Sequence, residues 1–458
     1  MDYSGNNVAL WNFVIQFGII AVIILFSNII RKKVPFIRKS LVPTSVLAGF
    51  LLLGVKYTGL VRIDTNFLEQ LTYHGIAIGF IAMSLRVPKK DETNTVGTAV
   101  RSGCLIVSTY LVQAVTGLII SLLLAYTIKP DLFKASGVLL PMGYGQGPGQ
   151  ANNVGLTYEA LGFSGGQSFG LALAAAGFLC ACIVGVIYLN FISRKGYVKR
   201  EAHQDVSGSV TVDTFQDKDE IPISESIDKL SIQMALILLV YLFTYLVLQG
   251  ISVLLQSKAP GVAKTICPLL WGFNFIFGSI FAVVARKVIV GLRKSKLMNR
   301  QYQNNYLLSR ISGLAFDVMI ISGIASIDFK KLQGLWLPFI LMAVAGGIVT
   351  FIWVMFMCKR IYPDYVQEGF LGMYGMLTGT ISSGILLVRE IDPNFETPAA
   401  NNLVAGSGLG IAFGAPVLLL ISLAPKSAAS PFIVIGLAVA YLVVLLGIIS
   451  FSKKKSRP

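Results

Sequence analysis

The sequence predicts an all-α polytopic membrane protein built of inverted five-helix repeats, each with a re-entrant hairpin, plus one extra C-terminal transmembrane helix. Three observations carry that expectation. The 458 residues are 55% hydrophobic and 13% charged, with a mean hydropathy of +0.73, and a soluble domain holds about twice that charge. Eleven apolar runs approach the roughly 20 residues that cross a bilayer as helix. Two further apolar stretches, one in each half, are broken by Gly, Pro, Ser and Thr.

The runs fall at about 10–30, 41–57, 71–86, 102–128, 166–192, 230–256, 266–285, 311–327, 334–358, 398–423 and 431–451. The first follows Asp2 without a basic leader, which reads as a retained span rather than a cleaved signal. Residues 1–192 form the first predicted repeat, with its hairpin at about 134–160. Residues 193–229 are a polar cytoplasmic linker containing SGSVTVDTFQDKDEIPISES, in which His203 stands alone. Residues 230–423 form the second repeat, with its hairpin at about 366–390, and 424–458 hold the extra helix and a basic tail.

Charge sets the expected orientation. With the N-terminus outside, 29 of the 38 Lys and Arg fall in cytoplasmic segments and 9 outside. That is the positive-inside bias, and it accounts for the basic excess without nucleic acid. The expected location is the plasma membrane, multi-pass, with the C-terminus cytoplasmic. The five Cys lie in or beside apolar spans. Cys180 and Cys182, two apart on a helix, face different sides and make neither a redox pair nor half a zinc site.

The broken segments carry the chemistry. Pro141–Gly155 reads PMGYGQGPGQANNVG, with five glycines, two prolines and no charge. Such a backbone resists regular helix, each Gly costing about 1 kcal/mol against Ala and each Pro about 3. Irregular backbone at bilayer depth persists only where it is buried in protein or lines a wet cavity, and interrupted apolar segments point to a transporter's binding site. Gly143, Gly145, Gly147 and Gly149 let a ligand approach the backbone. Helix ends at the break offer N–H groups and a positive dipole to an anion. Gln150, Asn152 and Asn153 add amides. The second segment, GMYGMLTGTISSG, offers Gly375, Gly379 and the hydroxyls of Thr378, Thr380, Ser382 and Ser383. Tyr144-Gly145 and Gly149 recur as Tyr374-Gly375 and Gly379. The first half begins outside and the second inside, so the two segments open on opposite faces. For both segments, close helix packing through small residues is the competing explanation of the glycines.

Ionisable residues within spans are functional candidates by default. Asp317, mid-span in SGLAFDVMIISG, has two readings: a sodium or proton ligand, with Asn153 and Asn401 as candidate sodium ligands beside it, or a structural partner of Arg310. Asn401 and Asn402 open the tenth span as a cap or as part of a cation path. Arg389 and Glu390 read as an interfacial ion pair or as contacts for a substrate carboxylate. Arg86 and His74 sit at span ends, where snorkelling explains them.

GYGQGPGQANN, followed by a span beginning GGQSFGLALAAAGFL, resembles the bacterial sodium/glutamate symporter family, as does the early SLVPTSVLAG. The resemblance implies an inverted-repeat fold, homodimers, and elevator-type symport of glutamate or a related anionic amino acid or carboxylate. Sodium would be the coupling ion, with no other cofactor. The second motif keeps Gly372, Gly375, Gly379 and Gly384 but lacks the family's denser glycine pattern, and the central loop and last span are additions. A proton-coupled carboxylate carrier is the alternative within transport. A channel lacks an evident ring of carbonyls or charges, and no cofactor, HExxH or GxSxG context suggests an enzyme.

Overall fold

The computed structural model describes residues 3–39, 42–59, 63–87, 96–195, 229–260, 263, 267, 270–298, 300–392 and 397–454. Regular structure among them is entirely helical. Nine of the described helices are long and apolar enough to cross a membrane; the chain is a multi-pass, all-α membrane protein.

In order, the helices are α1 (Val8–Lys33), α2 (Pro35–Lys39), α3 (Thr44–Thr58), α4 (Thr65–Leu85) and α5 (Val96–Thr127). A 3-10 turn at Lys134–Val138 leads to α6 (Leu139–Tyr144), α7 (Pro148–Ala160) and α8 (Gly166–Arg194). After these come α9 (Lys229–Lys258), α10 (Asn274–Lys294), α11 (Asn305–Ala325) and α12 (Trp336–Ile361). The last four are α13 (Val366–Thr378), α14 (Ile381–Arg389), α15 (Ala399–Leu423) and α16 (Ser430–Lys454). All eleven expected spans fall on helices. Two of them do not meet the length and hydropathy of a crossing: α3 has 15 residues, and Glu69, Gln70, Thr72 and His74 dilute the first half of α4. The run expected at 266–285 falls on helix at Cys267 and 270–272 among its described residues and, after a turn at Phe273, on α10, which continues beyond it to Lys294. Val288–Leu292 keeps it apolar past Arg286, while Arg293 and Lys294 suit a helix C-terminus. Most of the predicted linker, 196–228, and the tail at 455–458 lie outside the described residues.

The helices divide into two compact units. The second comprises Leu71–Thr93 and Gln204–Met319. Its core joins Ile81, Ala82, Leu85, Ile237, Val240, Ala282 and Leu308, from α4, α9, α10 and α11. Small residues allow the approach: a methyl on Gly75 would stand 3.1 Å from Met319 Cβ. Arg286 donates to the carbonyls of Ser84 (3.1 Å) and Arg86 (2.8 Å), which closes the end of α4.

The first unit comprises Met1–Gln70, Asn94–His203 and Ile320–Pro458. It therefore draws on both halves of the sequence: α5 to α8 from one, α12 to α15 from the other. Helices α5 and α8 lie inside it, with 67% and 61% of their most apolar windows buried, against 22% for α16. Two hydroxyls within α5 are satisfied locally: Ser108 and Thr109 both donate to Leu105 O at 2.8 Å, a common solution for hydroxyls in helices.

Candidate functional site

Each glycine-rich segment forms a helix, a break and a second helix, and each returns to where it began. In the first, Ser121 of α5 donates to Lys134 O (2.8 Å) at the start, and Gly137 faces Gly117 so closely that a methyl on either would overlap the other's backbone. Helix α6 then runs on until Gly145, where a methyl would stand 2.8 Å from Gln113 Oε1. Gly147 turns the chain with φ +89° and ψ −175°, a conformation essentially reserved for glycine, and Pro148 starts α7 at the position where proline's missing N–H costs least. Returning, α7 lies along α8: a methyl on Gly155 would stand 2.6 Å from Gln167 Cα, and one on Gly170 2.8 Å from Ala151 O. At the exit the Phe133 ring meets Tyr158 at 5.4 Å and Phe163 at 5.1 Å, so the two ends of the segment touch.

The second segment starts at the opposite ends of the same two helices. Ser102, near the start of α5, shares a 2.6 Å hydrogen bond with Tyr362, and Tyr188, near the end of α8, donates to Gln367 Oε1 at 2.7 Å. Helix α13 then advances until Gly379 and Thr380 break it, and α14 folds back on it, with a methyl on Gly375 standing 2.8 Å from Gly384 Cα.

Along α5 the second segment begins at Ser102, both breaks meet Gln113, and the first segment begins at Ser121. At 1.5 Å per residue that is about 28 Å from end to end with the tips near the middle. Along α8 the sequence of contacts is Gln167, Gly177 against Thr378 O, and Tyr188, again about 30 Å with the tip halfway. The two hairpins approach from opposite ends and their breaks adjoin: a methyl on Gly147 would lie 3.8 Å from Gly379 O and 3.9 Å from Thr380 Cγ2.

At this seam two helices begin, α7 and α14, and neither N-cap is closed by a side-chain hydrogen bond. The first N–H groups of a helix have no partner within it, and the positive ends of two dipoles here point at one place. From Leu139 to Val154 and from Gly369 to Val388 there is no Asp, Glu, Lys or Arg.

The predicted residues take different positions around the seam. Gly145, Gly147, Gly379 and Thr380 form it. Gln150, in the first turn of α7, is buried with Oε1 unpartnered. Gly143 is a packing position, with a methyl 2.7 Å from Ala174 N. Asn152 binds within the protein: Gln167 donates to its Oδ1 at 3.0 Å, and its Nδ2 donates to Asn153 Oδ1 at 3.3 Å. Thr378 donates back to Tyr374 O at 2.8 Å, and Thr380 and Ser383 hydroxyls lie 3.5 Å apart. Gly149 opens α7, and Gly375 holds α13 to α14; the backbone of Ser382 lies in the first turn of α14. Asn401 is exposed on α15, whereas Asn402 is buried and donates to Tyr365 Oη at 2.7 Å.

Asp317 belongs to the second unit, on an exposed face of α11 with Gly313 and Leu314. Arg310 places its guanidinium over the Tyr306 ring, 5.0 Å from the centroid. Glu390 is buried while Arg389 is exposed. His74 is bonded through Nδ1 to Tyr241 Oη at 2.8 Å.

Sequence reading missed Gln113. It is an uncharged polar residue in the middle of an apolar run, and a search for ionisable residues passes over it. Polar side chains within membrane helices bridge helices, which was the available signal. Among the described residues no cluster of three or more His, Cys, Asp or Glu could hold a metal ion. No protein-family model matches the chain, and no curated protein matches it.

Proposed function

We propose that this protein is a secondary active transporter that carries glutamate, or a related anionic amino acid or carboxylate, together with sodium by elevator-type alternating access. The observation that supports this reading best is the convergence of the N-termini of α7 and α14 at an uncharged seam between hairpins from opposite ends of α5 and α8. Two dipole ends and several free N–H groups suit a carboxylate. On this reading the hairpins are re-entrant, the halves are inverted repeats, and the seam lies near mid-membrane, since the hairpin starts are separated by about 28 Å, close to the ~30 Å hydrocarbon thickness.

The absence of basic side chains at the seam bears on coupling. Helix dipoles offset part of a substrate's negative charge, and a co-transported cation supplies the rest. Amide and carbonyl oxygens suit sodium, and Gln150 Oε1 is a buried acceptor with no hydrogen-bond partner among the described residues. The driving force agrees with more than one cation. A monoanion with one sodium moves no net charge, leaving only the ~1.4 kcal/mol of a tenfold gradient. A second sodium adds that amount again and ~2.3 kcal/mol from a 100 mV potential. Asp317 is the proposed cation ligand beyond the seam. A homodimer in the plasma membrane with the N-terminus outside completes the proposal.

The test is uptake of labelled glutamate by purified protein in proteoliposomes, with an inward sodium gradient, a proton gradient or neither, competed by a panel of dicarboxylates. Sodium-dependent, saturable and competable accumulation is expected. Uptake driven by protons alone would remove sodium from the proposal. Single-channel currents without counterflow would remove the carrier.

A further inference from the structure

Gln113 lies in the middle of α5, fully buried. Its Nε2 donates to Thr350 Oγ1 of α12 at 2.8 Å and to Leu377 O of α13 at 2.9 Å. Leu377 O is a carbonyl and can only accept, so the amide has one possible orientation: nitrogen toward the second hairpin, oxygen toward the first. Oε1 accordingly faces Gly145, and among the described residues it has no hydrogen-bond partner. The side chain occupies a single point touched by α5, α12 and the tips of both hairpins.

Its bond to Leu377 does a specific task. Helix α13 stops at Thr378, and the last carbonyls of a helix lack intrahelical partners. Gln113 satisfies one of them from outside, which fixes the height at which α13 ends and hence where α14 begins. On the other side, Gly145 closes α6 against Tyr110 and Gln113, with no room for a side chain. One amide therefore sets the positions of both breaks relative to α5. An unmade acceptor in a buried place is unfavourable, and a methionine of similar volume would fill the space without it. Packing alone does not account for glutamine here.

We propose that Gln113 is a positioning residue that holds the two hairpin tips in the register that binds substrate. It acts on the seam through Leu377 and Gly145 rather than by touching substrate. This rests on the transporter reading for its kinetic consequence, and on the geometry alone for its structural one.

The test uses Gln113→Met, which keeps volume and removes both donors, and Thr350→Val, which removes only the anchor on α12. Hydrogen exchange read by mass spectrometry on the full-length protein in detergent is independent of any substrate. In Gln113→Met the amides of 145–151 and 378–384 should exchange at least tenfold faster than in the unaltered protein, with α8 and α15 unchanged. In proteoliposomes the same variant should raise KM for glutamate at least tenfold and leave the maximal rate within twofold; Thr350→Val should raise KM about threefold. Unchanged exchange at the tips, loosening spread over the whole protein, or an altered maximal rate at constant KM would each overturn the proposal. If the unaltered protein moves no carboxylate, the transport reading fails while the exchange result still decides the role of Gln113.

Discussion

The two hairpins reach the same seam by different means. The first is wedged between other helices: Gly137 against Gly117 of α5, Gly143 against Ala174 of α8, and Gly155 against Gln167 of α8. Its turn is enforced by backbone, with Gly147 at φ +89° and Pro148 next to it. The second also packs on other helices, with Thr378 O against Gly177 of α8 and Gly372 beside Leu403 of α15, but its glycines chiefly fit its own two helices together. Gly372 and Gly375 of α13 face Gly384 of α14, and its turn passes through Gly379 (φ −135°) and Thr380 (φ −141°) with no positive φ. Glycine serves the first hairpin as a surface for neighbours and the second as an internal seam. The glycines of the first hairpin thus fit it to α5 and α8, whereas those of the second fit α13 to α14.

The largest expected effect follows from the wedge. A methyl on Gly137 would overlap Gly117 O and C and Leu118 N, all backbone, so neither side can yield by changing a rotamer. Overpacking that forces backbone apart costs about 3 kcal/mol or more. Gly137→Ala should therefore leave little monodisperse protein on size exclusion after detergent extraction. A normal elution profile would mean that the first hairpin is not held by α5.

Gly384→Ala is the matching change in the second hairpin, where the methyl would overlap Gly372 O. The clash lies within one hairpin, and in the helix itself Ala is better than Gly by about 1 kcal/mol. The variant should extract and elute like the unaltered protein while glutamate uptake falls at least tenfold. If it fails to fold as Gly137→Ala does, the hairpins are equally structural and the contrast between them is lost.

Much of this arrangement was legible in the sequence. Bilayer-length apolar runs gave the helices because hydropathy reports burial from water directly. Glycine and proline gave both breaks because those residues act locally on the backbone. What the sequence could not supply were facts of pairing. Asn152 in QANNV reads as a candidate ligand, and its partners Gln167 and Asn153 are not visible in the sequence. Gln113 looks like an incidental polar residue in a long span, yet it bonds residues 237 and 264 positions away. Helix α10 extends past Arg286 because Ser84 and Arg86 carbonyls receive its guanidinium, a partner that a hydropathy window does not see. Nor does the order of spans announce that α5 to α8 and α12 to α15 would join one compact unit.

The smallest effects should come from the turns themselves, and there the contrast is most sensitive. Gly147 has open space around it, the nearest atom to an added methyl being 3.8 Å away, so Gly147→Ala meets no clash. Its cost is conformational, about 1–3 kcal/mol for holding an L-residue in a region reserved for glycine, and it falls on the N-cap of α7, where substrate is proposed to bind. Sodium-driven uptake should drop about tenfold with normal extraction. Thr380→Ala changes the corresponding N-cap of α14. Losing a capping hydroxyl usually costs about 1 kcal/mol, but Thr380 makes no capping hydrogen bond, and among the described residues its hydroxyl meets Ser383 at 3.5 Å. Uptake by Thr380→Ala should stay within about twofold of the unaltered protein, since less than about 0.4 kcal/mol is at stake. Equal losses in the two variants would show that both turns are set by the same backbone constraint; a larger loss at Thr380 would assign its hydroxyl to the substrate.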